Sequence, residues 1–302
     1  MTAPVVAVAT AVSLTMTAFA GGDASAIPAG PNENELARQE AWRTSTISRD
    51  YDGDDGEPLR VRVSYGGGTL TLTSGEVGVL YRMEVRYNEE HQEPVAEVGD
   101  GLVELGIESF GDKFNLGRSG DNGSLDLRLG SDVPMMLEVA FGAGRAAVDV
   151  GGLSLSGLSV ETGASSIRLE ASTPNRMGMD AAEFAVGAAD FEANDLGNLR
   201  ASRVSVDAGV GKVVLGLGGD WRENATLRVD MGVGSLTLRV PRGLGLRVDR
   251  DGFLTTFDSE GLTKRGDSYY SPDWEDAERR VRVELDAAFG RVALEWFDPD
   301  EE

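Results

Sequence analysis

The residues with the best prospects for chemistry in this chain are carboxylates. Asp207, Asp230 and Asp286 occupy the same place in three similar phrases, Val204-Ser205-Val206-Asp207, Leu227-Arg228-Val229-Asp230 and Val283-Glu284-Leu285-Asp286. If the phrases stack as neighbouring strands, the carboxylates lie about 5 Å apart. Paired carboxylates on one face of a stacked β fold can carry carbohydrate chemistry such as glycoside cleavage. No base, cation or pocket is evident beside them in sequence, so an outward acidic ladder is the preferred reading. His91 lies between Glu90 and Gln92 in a polar loop, and a Ser-His-Asp triad built on it has no nucleophile-elbow context. Asp50-Tyr51-Asp52-Gly53-Asp54-Asp55-Gly56-Glu57 imitates a calcium loop. Counting from Asp50, however, Asp55 stands where glycine is required and Val61 where glutamate is required. Tyr269, Tyr270 and Trp274 form an aromatic cluster that suits a partner patch or, more simply, a flap over a sheet wall.

Composition narrows the chemistry further. The chain has 302 residues, no cysteine and one histidine, which leaves no thiolate metal site, no cysteine nucleophile and no histidine cluster. We therefore expect no metal site built on cysteine or histidine. With 28 basic and 51 acidic residues the net charge is -23, so nucleic acid and anionic membrane surfaces are repelled. Forty glycines, about twice the usual share, imply many tight backbone corners.

The elements that must position these residues follow from a repeat. Apolar residues alternate, meet a glycine or another small residue, and alternate again on the opposite parity. Seven copies occur, beginning at Val61, Leu137, Leu158, Phe184, Val204, Leu227 and Val283. Alternation at period two predicts strands with one buried and one wet face. Around Val210 the inward set runs on even numbers up to Val210 and on odd numbers from Val213; around Val233 it runs odd, then even from Leu236. A backbone corner must absorb that phase change, and Gly142, Gly144, Gly209, Gly211, Gly232, Gly234 and Gly290 are the expected corner residues. Val139, Val160, Val186, Val206 and Val229 are 21, 26, 20 and 23 residues apart. That period is the size of one coil of a β-solenoid. An antiparallel β-meander or sandwich is the alternative. The stretches 72–137 and 229–285 break the period, and the second reads as a rung with a long loop.

Ahead of the repeats, Pro4 to Ala20 is apolar or small and leads to Ala18-Phe19-Ala20 and Ala24-Ser25-Ala26, which predicts a secretory signal peptide. No later run approaches a bilayer-spanning length, so no transmembrane span is expected in the mature chain.

The ordered phrases resemble the toast-rack domains of bacterial envelope proteins, related to the C-terminal domains of cell-wall-active antibiotic response proteins. The resemblance rests on Ser131-Asp132-Val133-Pro134, Leu137 to Gly144, Gly152 to Leu155, Leu158 to Ala164, Val61 to Leu72, Glu84 to Asn88, and Val204 to Val240 with Gly252, Gly261 and Tyr270. It implies an all-β, single-stranded, β-helix-like solenoid that is exported, with no cofactor and no catalytic residues to carry over. Some relatives bear membrane helices and restrain envelope-stress signalling. The expected organisation is a signal peptide at 1–26, an acidic polar linker at 27–57, an N-terminal toast-rack domain at 58–152, and a continuing β-solenoid at 153–302 with a long loop at about 243–280. The expected function is non-enzymatic binding or scaffolding in the periplasm, at the cell surface or outside the cell, with an envelope protein or polysaccharide as partner. An envelope-stress sensor or negative regulator is the first alternative and a carbohydrate-active enzyme the second. A monomer is favoured over self-association, because the acidic linker and the tail Asp298-Pro299-Asp300-Glu301-Glu302 repel their copies.

Overall fold

The computed structural model describes residues 41–53, 57–110, 123–251 and 254–299. The expected signal peptide, most of the expected linker, Gly252, Phe253 and the last three residues lie outside the described residues. The first half of the described chain supplies β1 (Trp42–Asp50), β2 (Leu59–Gly75), β3 (Val79–Asn88), β4 (Gln92–Gly99), β5 (Leu102–Ser109), β6 (Ser124–Gly130), β7 (Pro134–Asp149) and β8 (Ser154–Glu170). The second half supplies β9 (Met179–Asn194), β10 (Ala201–Gly216), β11 (Ala225–Pro241), β12 (Gly245–Asp251), β13 (Leu254–Phe257), β14 (Thr263–Arg265), β15 (Ser268–Tyr270) and β16 (Arg280–Phe297). All belong to one sheet, and the only helices among the described residues are two short 3-10 turns.

The seven long strands β2, β7, β8, β9, β10, β11 and β16 are the seven repeats, stacked in parallel. Each is a rung with two arms. Setting aside the small buried residues Gly68 and Ala189 inside the corners, the last buried residue of the first arm and the first of the second are Tyr65 and Leu70, Phe141 and Ala146, Thr162 and Ile167, Val186 and Phe191, Ala208 and Val213, Met231 and Leu236, Ala287 and Val292. Every pair is five residues apart, an odd step that reverses the parity and brings the apolar sides of both arms to one interior. The arms meet there: the rings of Phe184 and Phe191, one on each arm of β9, lie 5.4 Å apart. The stretches 171–178, 195–200 and 217–224 return the chain to the next rung and bury Leu196, Leu199, Leu217 and Trp221. Asn175 is buried in these returns, donating from Nδ2 to the Leu155 and Leu199 carbonyls and accepting from the Leu155 N–H.

The irregular stretches complete the stack at both ends. β5 pairs with the first arm of β2 and β6 with the second, making one split rung. β12 and β13 pair with the two arms of β16 and make another. The long stretch at 243–280 thus supplies β12 and β13, and it lies outside β16, which inserts between β11 and β12. Two expectations need correction. Residues 42–50 of the expected linker form β1, antiparallel to β3, because backbone pairing and the half-buried Ile47 give this polar segment a place on the sheet. Val210 and Val233 do not point inward: they sit in the corners, between the arms, and are exposed. The boundary expected at 152/153 falls in the turn between β7 and β8, which pair along their length, so one core runs through it.

At the corners the rungs approach closely. Gly142, Gly209 and Gly232 each lie against a carbonyl of the preceding rung, while Gly144, Gly211, Gly234 and Gly290 have positive φ. Outer edges are blunted by charge and proline: β14 exposes Lys264 and Arg265, and β4 carries Pro94 between Glu93 and Glu97.

Tyr65 is buried and its hydroxyl has no hydrogen-bond partner among the described residues. Burial pushes this phenol up to about 12. An unfolded tyrosine ionises near pH 10, so stability present below that pH is lost as pH rises towards the folded value. Tyr65→Phe removes the unpaired hydroxyl, and urea unfolding should show a gain of about 1 kcal/mol at neutral pH. The variant should also lose less stability than the parent between about pH 10 and pH 12.

Candidate binding surface

Parallel pairing places Asp207 beside Asp230 and Asp230 beside Asp286. It also adds Asp251 of β12 beside Asp286, a residue whose surroundings in sequence carry no copy of the repeat. These four aspartates form an outward column on adjacent rungs. Arg228 Nε hydrogen-bonds Asp230 Oδ2 at 2.8 Å, while Asp207, Asp251 and Asp286 make no ion pair among the described residues. A depression of about 360 Å³ runs along the column, lined by Asp207, Asp230, Asp286 and the corner residues Gly209, Gly232 and Ala288. Its glycine floor follows from packing, since a Cβ at Gly232 would stand 2.6 Å from the Gly209 carbonyl oxygen.

One residue past that floor lie Val210, Val233 and Phe289, side by side on β10, β11 and β16. They are 56, 49 and 49% exposed, well above the nearly dry core positions of the same rungs. Lys212 and Arg291 stand on the far flank, and Arg291 is 3.9 Å from Asp258. The surface thus has an apolar crest between an anionic column and a mixed flank. A detectable sequence signal was present: in Gly209-Val210-Gly211, Gly232-Val233-Gly234 and Ala288-Phe289-Gly290, an apolar residue falls inside the parity break and belongs to neither arm. The column is open to solvent and offers no enclosure for a sugar ring or its developing positive charge, as the glycosidase arrangement requires. Among the described residues no group of three or more acidic or histidine side chains is placed to hold a metal ion.

The other candidates lie apart. His91 is exposed in the turn between β3 and β4, its amide donating to the Asn88 carbonyl. Asp50 ends β1, and residues 54–56 of the calcium-like stretch lie outside the described residues. Tyr269, Tyr270 and Trp274 are half-buried where the β14–β15 hairpin, followed by the turn at 272–274, pairs along the edge of β12. Tyr269 meets Phe257 edge-on at 5.0 Å, and Tyr270 meets Trp274 at 5.5 Å. The guanidinium groups of Arg247 and Arg265 lie over Tyr270, and that of Arg280 over Trp274. These contacts engage the rings within the chain.

The hairpin is fastened by Asp249, which accepts from Ser268 Oγ, from Arg247 Nε at 3.0 Å and from Arg282 Nε at 2.8 Å. Burial by itself would raise this carboxyl, but the hydrogen bonds from Ser268, Arg247 and Arg282 together hold it below its ordinary range. A carboxyl lowered by folding adds stability above the unfolded value, about 3.9, and that stability is lost as pH falls through the folded one. Asp249→Asn should cost about 1 to 2 kcal/mol at neutral pH. Thermal melts of parent and variant should converge as the pH is lowered through this range.

No helix among the described residues is long and apolar enough to cross a membrane. The profile of the family described as the N-terminal domain of toast_rack matches residues 38–182 and 181–239. Comparison with curated proteins finds no match. Among solved structures, a candidate cell adhesion protein from Clostridium sporogenes is 15% identical with a TM-score of 0.42, over 84% of this chain and 100% of that one. A candidate adhesin from Bacteroides fragilis is 14% identical with a TM-score of 0.41, over 82% of this chain and 96% of that one.

Proposed function

Because this chain belongs to the toast-rack family, we propose that it is an exported, non-enzymatic binding or scaffolding protein of the cell envelope, with an envelope protein or polysaccharide as partner. The stack of rungs is the observation that carries this reading. Seven continuous rungs in register hold their outward side chains in fixed columns. A partner meeting such a surface finds its contacts already ordered, which lowers the entropic cost of association. The signal-like opening of the chain supports export. The net charge of -23 turns nucleic acid away, and the charged outer edges of β4 and β14 favour a monomer.

Cell fractionation with mass measurement of the recovered chain tests the location. A product shortened by the first 26 residues and found outside the cytoplasm is expected. Affinity capture from envelope extract, with isolated cell-wall polysaccharide as a second bait, tests the binding. An unprocessed cytoplasmic chain, or glycan hydrolysis that disappears in Asp230→Asn, would overturn the proposal.

A further inference from the structure

The corners of the stack change character along its length. Their second position is Gly67 in β2, Ala143 in β7, Ala164 in β8 and Ala188 in β9, but Val210 in β10, Val233 in β11 and Phe289 in β16. The large apolar side chains thus occur only on the rungs that also carry Asp207, Asp230 and Asp286. On β7, β8 and β9 the positions equivalent to those aspartates are Ala140, Glu161 and Ala185. Apolar crest and continuous anionic column therefore coincide on one end of the stack. Contiguous exposed apolar side chains rimmed by polar residues are the kind of surface that marks an interaction site.

Resting on the binding role proposed above, we infer that this corner docks a cationic amphipathic polypeptide segment of a partner protein. Its apolar side chains cover Val210, Val233 and Phe289, and its lysine or arginine side chains reach the column of Asp207, Asp230, Asp286 and Asp251. Charge selects the occupant. Adjacent rungs repeat at about 4.8 Å, so the four carboxylates concentrate negative potential over roughly 15 Å, and among the described residues only Asp230 is ion-paired, to Arg228, whose charge also acts on Asp207. Long basic side chains bridge such a spacing and keep their apolar stems against the crest. A polyanion is repelled by the column. A second copy of this chain would set the same aspartates against it at a two-fold contact.

Fluorescence anisotropy on the purified full chain tests the inference at physiological ionic strength. The probes are a labelled peptide alternating lysine and leucine, oligolysine of equal length, and a serine–leucine peptide of equal length. The lysine–leucine peptide should bind about tenfold or more tightly than either control. Two triple variants, V210S/V233S/F289S and D207N/D230N/D286N, should each weaken it about tenfold. E161Q/E183Q, which neutralises exposed acids on other rungs, should leave it unchanged. The altered side chains lie outside the core, and the one ion pair lost, that of Arg228 with Asp230, is a surface pair that contributes little to stability, so thermal melts should stay close to the parent.

Equal binding of oligolysine, or equal loss in E161Q/E183Q, would overturn the inference in favour of diffuse charge attraction. Equal binding of the serine–leucine peptide would reduce the site to apolar contact alone. Self-association of the parent that is lost in V210S/V233S/F289S would assign the crest to a second copy. If envelope capture persists in both triple variants, the docking site falls while the binding role stands. If the peptide binds as expected but the chain stays in the cytoplasm, the outcome is the reverse.

Discussion

Phe184→Ala should lower the unfolding free energy by about 3 to 5 kcal/mol, the largest single-residue loss expected in this chain. Phe184 and Phe191 are both about 1% exposed and close the two arms of β9 against each other. β9 is a middle rung, paired on one side with β8 and on the other with β10. Neighbouring rungs share the interior, and in a stack stability is built from contacts between neighbours, so a cavity here weakens the coupling of both halves. Urea unfolding followed by circular dichroism measures the loss. Phe191→Ala should cost a similar amount, and the double variant less than the sum, because the first truncation already removes the ring contact. Full additivity would show that the arms are held independently.

Gly234→Ala is expected to cost about 3 kcal/mol or more, from two sources acting together. Gly234 has a φ of 154°, which L side chains rarely adopt, and a Cβ there would overlap the carbonyl of Gly211 on the preceding rung. The methyl group can be accommodated only by prying β10 from β11 at the corner. Gly243 provides the internal control: its φ is 86° but nothing lies within 4 Å of an added Cβ. Gly243→Ala should therefore show only the conformational cost, about 1 to 2 kcal/mol. Equal losses at the two positions in parallel urea titrations would mean that close approach of rungs contributes nothing at the corner.

The rung was legible in the sequence because its rules are local. Period-two alternation marked the arms, and the glycines marked where parity reverses. The same alternation misplaced Val210 and Val233, which continue the even and odd series of their first arms by number alone. Counting cannot show that the corner begins one residue earlier, at Gly209 and Gly232, and turns the next side chain outward. β1 escaped notice for a different reason: Trp42–Asp50 is polar and only half-buried, so it has little alternation to detect, and its place depends on pairing with β3. Of the candidate surface, three aspartates were visible as repeats and the crest left a signal in the apolar residue inside each parity break, while Asp251 left none.

The sequence by itself determined an all-β chain of bent rungs, seven copies of the rung phrase and a strong excess of negative charge. Each follows from side-chain size, charge and backbone freedom within about twenty residues, the scale of one coil. Only the tertiary structure decided which rungs are neighbours. Backbone hydrogen bonds are nearly blind to side-chain identity, so the edge of β11 could accept either β12, next in the chain, or β16. The fold inserts β16, and that choice sets Phe289 beside Val233 and gathers Asp286 and Asp251 into one column.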